Sequence, residues 1–152
     1  MSKLEQIIWL SGGILLAIFI ELQFIPIWRF VPSMNPMNPP VKYEIEWTNA
    51  EGAQLMHDIC YVCHSNETVY PIYTRFAPIS WIAAQHVNEG RDALNFSEQP
   101  APTISADLLV AYIQSDIMPP ALYRSVHPEA NLTPEQKALL IATIRETLGS
   151  RY

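Results

Sequence analysis

Cys60-Tyr61-Val62-Cys63-His64 constrains this chain more than any other stretch. Two cysteines separated by two residues, with a histidine directly after the second, is the spacing that attaches a c-type haem. Each thiol adds across one vinyl group to form a thioether, and the histidine is placed under the iron as proximal ligand. Other uses of the motif fit less well. A zinc centre takes about four ligands, usually from a second Cys pair or a closely spaced His pair. Cys60 and Cys63 are the only two cysteines, and no H-x-x-x-H accompanies them. A thioredoxin-like redox pair expects a βαβ context, and the flanks show no strand-crossover-strand pattern. A disulfide across two intervening residues would be strained.

The expected cofactor is therefore one covalently attached haem c, with Cys60, Cys63 and His64 as its attachment and proximal-ligand residues. Composition narrows the rest. The chain has 152 residues, of which 49% are hydrophobic and only 16% charged, against a usual charged fraction of about 25%. A net charge of −6 provides no basic stripe to meet phosphates, which argues against nucleic acid as a partner. Thirteen prolines favour turns and extended connections over a sheet.

Residues 7–20 carry no charge, and the apolar character continues to Ile27 with Glu21 and Gln23 inside it. About 20 residues span a bilayer, and Trp9 and Trp28 stand where interfacial tryptophans belong. A cleaved signal peptide would need a small-residue cleavage site after the apolar run, and Glu21-Leu22-Gln23-Phe24-Ile25-Pro26 offers none. Residues 1–30 are thus expected to form an uncleaved transmembrane anchor. Lys3 and Arg29 balance each other, so charge does not orient it.

Residues 31–47 read as a proline-rich linker. Four prolines in the nine residues 32–40 favour an extended spacer, at about 3.1 Å per residue. The domain proper is expected over 48–152. Its first helix is read as running from Thr48 to Ile59, with Thr48 to Glu51 as a capping box, directly into Cys60. A second helix is expected from Ser80 to Glu89, stopped by Gly90. Its inward face would be Ile79, Ile82, Ala83, His86 and Val87. After a loop over 91–102, a third helix at 105–115 would bury Leu108, Leu109, Tyr112 and Ile113. Met118-Pro119-Pro120 follows. A proline pushes the preceding residue out of the helical region, and the stiffened turn suits a thioether held against iron. Thr133-Pro134-Glu135-Gln136 opens the last helix with a cap, a first-turn proline and a capping-box glutamine. Its buried face is Leu140, Ile141, Ile144 and Leu148, and Gly149 ends it.

Helix, C-x-x-C-H, loops and helices, Met-Pro and final helix together resemble a class I cytochrome c domain. A closer resemblance is to the membrane-anchored monohaem proteins of the haem-binding-domain family. It is carried by Asn38-Pro39-Pro40-Val41, residues 60–68, Ala77-Pro78-Ile79-Ser80-Trp81, Glu89-Gly90-Arg91, Leu94-Asn95-Phe96-Ser97, Met118-Pro119-Pro120 and His127-Pro128-Glu129-Ala130. The resemblance implies a small all-α, cytochrome c-like domain around one covalent haem, attached outside the cytoplasm. The anchor would then hold Met1 inside and the domain in the periplasm. Met118 is the preferred distal ligand, because Met/His ligation is the usual cytochrome c arrangement; His86 and His127 are its rivals. A six-coordinate iron favours electron transfer over catalysis. The expected role is a membrane-tethered, non-enzymatic electron carrier between redox proteins. A fixed subunit of a membrane electron-transfer complex is the alternative, and a five-coordinate haem sensor or enzyme is a third reading.

Overall fold

The computed structural model describes residues 2–99 and 104–149. Among these residues the secondary structure is helical, with no strand. Seven α-helices are used below: α1 (Lys3–Gln23), α2 (Ala50–Leu55), α3 (Tyr61–His64), α4 (Ile79–Ala93), α5 (Ala106–Gln114), α6 (Ala121–Val126) and α7 (Pro134–Leu148). The chain forms two compact units, Met1–Met37 with Tyr70–Asn88, and Asn38–Val69 with Glu89–Tyr152. The division falls within α4.

The first unit contains the apolar helix. At 21 residues, α1 is long and apolar enough to cross a membrane, and none of its residues is buried. Ser2 and Glu5 close a capping box at its start. At its other end the Gln23 amide makes two hydrogen bonds with the Ala77 backbone. Nε2 donates to the Ala77 carbonyl at 3.2 Å, and Oε1 accepts from the Ala77 N–H at 2.9 Å. Short turns at Ile27–Arg29 and Pro32–Met34 follow α1. The Asn88 side chain then donates to the Ser33 and Asn35 carbonyls at 2.9 and 2.8 Å.

The second unit carries the main core. Ile45, Met56, Tyr61, Phe96, Val110, Ile113, Leu140, Ile144 and Leu148 form one buried apolar cluster, with Trp47 packed against it. The polypeptide from Asn38 onward lies on this unit. Asn38 Nδ2 donates to the Thr68 carbonyl, Asn66 to the Pro40 carbonyl, and the Lys42 and Tyr43 N–H groups to the Ser97 carbonyl. Gly52 brings α2 against α7, since a Cβ there would lie 1.9 Å from Thr143 Oγ1. In α7 the Thr133–Gln136 capping box is complete and Leu140, Ile144 and Leu148 are buried. The face extends through Thr143 and Thr147 instead of Ile141, which is only half-buried.

Four local readings of the sequence change. The first domain helix is capped by Asn49, whose Oδ1 accepts from the Gly52 N–H at 2.8 Å. Thr48 is spent on α7, its N–H donating to Thr147 Oγ1 at 3.1 Å. Helix α4 does not stop at Gly90 but runs on to Ala93. Its buried residues include Ala84, Val87 and Arg91, while Ile79, Ile82 and His86 are exposed, so His86 does not lean inward. In α5, Leu108 and Tyr112 are exposed, and Ala106 and Val110 take their places beside Leu109 and Ile113. The expected loop over 91–102 begins after Ala93, and its residues 100–102 lie outside the described residues.

Candidate functional site: the Cys60–His64 turn

Ala50 to His64 is one continuous helical run, broken in register by a π-helical turn over Met56–Cys60. Single π-turns inserted in α-helices are frequent at functional sites. Here the turn delivers both cysteines and the histidine at the end of the run, on α3 or at its N-terminus. Tyr61, the first residue between the cysteines, is buried. It stacks on Phe96 with centroids 5.1 Å apart, and its hydroxyl accepts from Trp47 Nε1 at 3.1 Å. The His57 ring also packs on Tyr61, with centroids 4.1 Å apart. The motif is thereby tied into the core by its own spacer residue.

His64 is oriented from α4. Its Nδ1 lies 2.9 Å from the Gly90 carbonyl oxygen and 3.0 Å from that of Leu94. Both partners are acceptors, so Nδ1 must carry the proton. The neutral ring then keeps its lone pair on Nε2. A metal-binding histidine characteristically donates its other ring N–H to a carbonyl in this way, which fixes the tautomer and makes the ligating nitrogen more basic. Gly90 is what allows α4 so close. A Cβ at position 90 would lie 2.7 Å from the Cys63 carbonyl oxygen and 3.1 Å from its Cβ. The glycine read in the sequence as a helix stop is a mid-helix contact point, and the helix continues because the close approach, not a turn, selects it.

The two cysteines are half-buried free thiols. Burial, with a smaller contribution from Cys63, pushes the Cys60 thiol up to about 12. Burial also raises Cys63, opposed by the positive charge of Arg91. Reactive disulfide-exchange cysteines have lowered values, so these thiols run opposite to a thioredoxin-like pair. Among the described residues no group of three or more His, Cys, Asp or Glu side chains is placed to hold a metal ion. Two neutral thiols one turn apart and a histidine with its Nε2 lone pair available are a donor set that fits a haem.

The segment after the motif is held by a residue the sequence reading did not single out. Arg91 is 8% exposed. Its Nε donates to the Ser65 carbonyl at 2.7 Å, and a terminal nitrogen donates to Asn38 Oδ1 and, at 3.0 Å, to Thr68 Oγ1. Thr68 Oγ1 in turn donates to the Val62 carbonyl at 2.8 Å. Asn95 binds Asn66, and the Phe96 N–H donates to the His64 carbonyl at 2.8 Å. The signal in sequence was an arginine directly after Gly90 with an Asn/Ser/Thr-rich run behind the motif, but nothing local says they meet. Lysine cannot reproduce a planar fork of donors. Arg91→Lys should therefore destabilise the protein by about 2 kcal/mol, the order lost with hydrogen bonds to a charged group. Urea unfolding of the two proteins measures it, and an unchanged midpoint would refute the role.

Met118 lies between α5 and α6, half-buried, on a loop that begins at Asp116. Asp116 has φ 57°, a left-handed conformation that Asp tolerates better than most residues. Its Oδ1 accepts from Lys137 on α7 at 2.6 Å and faces Arg124 on α6 at 3.4 Å. Met118 and Pro119 line a cavity of about 130 Å³ together with Asp116, Arg124, Leu132 and Lys137. Helix α6 itself was not foreseen, because Pro119-Pro120 hid a helix start. His127 ends α6, stacked on Tyr123 at 4.2 Å, with Nδ1 2.7 Å from Glu129 Oε1. Cys60, Cys63 and His64 are thus brought together on one helical run, Met118 and His127 stand on the α5–α6 and α6–α7 connections, and His86 is an exposed residue of α4.

The fold and the turn define a class: an all-helical domain that presents C-x-x-C-H on a helix, with the histidine Nδ1 held by backbone carbonyls of Gly90 and Leu94. The haem-binding domain family matches residues 17–146, and the chain belongs to that family. It is a haem-binding protein. No curated protein and no solved structure matched the chain.

Proposed function

We propose that the protein is a membrane-anchored monohaem c-type cytochrome that carries single electrons and is not itself an enzyme. The observation that carries this reading is His64, with Nδ1 committed to the Gly90 carbonyl of α4 and the Leu94 carbonyl just past its end, so that Nε2 keeps its lone pair, one residue after a thiol pair spaced for two thioethers. When bound, the haem supplies a one-electron ferric/ferrous couple whose potential depends on its axial ligands. The chain's residues do the rest. Cys60 and Cys63 hold the group covalently, and His64 ligates from one side. The buried aromatic cluster around Tyr61 and Phe96 lowers the local polarity.

Met118 is the distal ligand in this reading. Two elements support its placement: the prolines that follow it, and Asp116, which ties the loop to α6 and α7. A thioether ligand raises the reduction potential. Met118→Ala should lower the potential and abolish the charge-transfer band of methionine-ligated ferric haem. A variant that keeps both would pass the role to His127 or His86. Covalent attachment belongs outside the cytoplasm, so α1 would run with its N-terminus inside and the haem domain in the periplasm. Tethering to the membrane keeps a carrier near its redox partners, where effective concentration replaces tight binding. A fixed subunit of a larger electron-transfer complex is the second reading. Sizing after gentle detergent extraction separates the two, since a free carrier migrates alone.

A further inference from the structure

Within the first unit, four large apolar side chains are left uncovered by the protein: Ile72 (71% exposed), Phe76 (52%), Ile79 (47%) and Ile82 (51%). They flank Ala77, the residue whose N–H and carbonyl are both held by Gln23. Gln23 is the last residue of α1. At a rise of about 1.5 Å per residue, this 21-residue helix is as long as a hydrocarbon core is thick, about 30 Å. Gln23 therefore falls at the boundary where hydrocarbon gives way to headgroups. Ala77 is within hydrogen-bonding distance of it, and Phe76 is one Cα step of about 3.8 Å further. Charge points the same way. In a chain of net charge −6, no carboxylate occurs between Glu67 and Glu89, and residues 70–84 carry a single charge, that of the exposed Arg75.

We propose that Ile72–Ile82 is a second membrane contact, lying in the headgroup layer beside the end of the anchor with Ile72, Phe76, Ile79 and Ile82 turned into lipid. The occupant of this apolar surface is phospholipid. Apolar side chains with a cationic neighbour and no acidic one are the composition of an interfacial segment. Gln23 fixes its depth by holding the Ala77 backbone, where a free tether would let it leave the surface. The segment is thereby part of the anchor, not a loop on a spacer. This inference rests on α1 spanning the bilayer, and the test separates the two.

The experiment places p-benzoylphenylalanine at Phe76, and in parallel at Phe19 within α1, in the full-length haem-loaded protein. Intact membranes are irradiated and the labelled peptides weighed. The expected result is a phospholipid adduct at both positions. The haem absorption spectrum, unchanged from the parent, checks that the protein is folded. The same residue at Ile72 serves if the Phe76 variant does not load haem. Lipid adduct at Phe19 with none at Phe76 or Ile72 overturns the second contact and leaves the anchor. An adduct to haem or to another protein at Phe76 also overturns it, because the surface then has a different occupant. No lipid at Phe19 removes the anchor and this inference with it.

Discussion

Replacing Cys60 and Cys63 together with alanine should remove every covalent link between haem and polypeptide. In denaturing mass spectrometry the parent protein then appears as the chain plus one haem, and the double variant as the bare chain. The effect is all or none because the two thiols are the only ones in the sequence. A single change, Cys63→Ala, leaves one thioether or none. His64→Ala acts differently. It removes the proposed ligand, whose Nδ1 bonds to the Gly90 and Leu94 carbonyls, so any haem that remains attached should show altered ligation and a five-coordinate-type spectrum. A parent protein whose denatured mass is only that of its chain would end the cytochrome reading.

Gly52→Ala should strongly destabilise the second unit. On an open helix surface the substitution gains stability, since glycine costs up to about 1 kcal/mol relative to alanine. Position 52 is not open. The new Cβ would stand 1.9 Å from Thr143 Oγ1, 2.7 Å from its Cβ and 2.8 Å from its Cγ2. Thr143 is itself buried, with its hydroxyl donating to the Leu139 carbonyl at 2.9 Å, so it has nowhere to turn. The run leading to Cys60 and α7 must separate, and overpacking of this kind costs about 3 kcal/mol. Denaturant unfolding with haem absorbance as probe measures it. Gly52→Ala combined with Thr143→Ala should lose less than the two single losses added, because the same atoms clash. Strict additivity, or a stabilised Gly52→Ala, would show that the two helices do not cross where the structure has them.

Much of this was legible along the chain because it is written in neighbouring residues. The haem motif needs only five consecutive positions. The apolar run of α1 needs only its length, and α7 announces itself through Thr133, Pro134 and Gln136, whose bonds are all local. The all-α class was what the family resemblance implied, and the described residues are helical. Met118 was marked by the proline after it, a local restriction on its backbone.

What the tertiary structure alone decided are the pairings between distant positions. Gly90 reads as a stop signal in sequence, since glycine commonly follows a helix. It lies inside α4 because the Cys63 backbone presses on it, a contact 27 positions away in sequence that no window contains. Thr48 reads as a cap by residue type, yet a partner on α7 claims it and Asn49 caps instead. The protonated nitrogen of His64, the buried fork of Arg91, and the grip of Gln23 on Ala77 follow the same rule. Local chemistry determines which element a segment prefers. Which polar group meets which, and so which nitrogen of His64 keeps its lone pair, depends on chain segments brought together by burial of the core, and those exist only in the folded state.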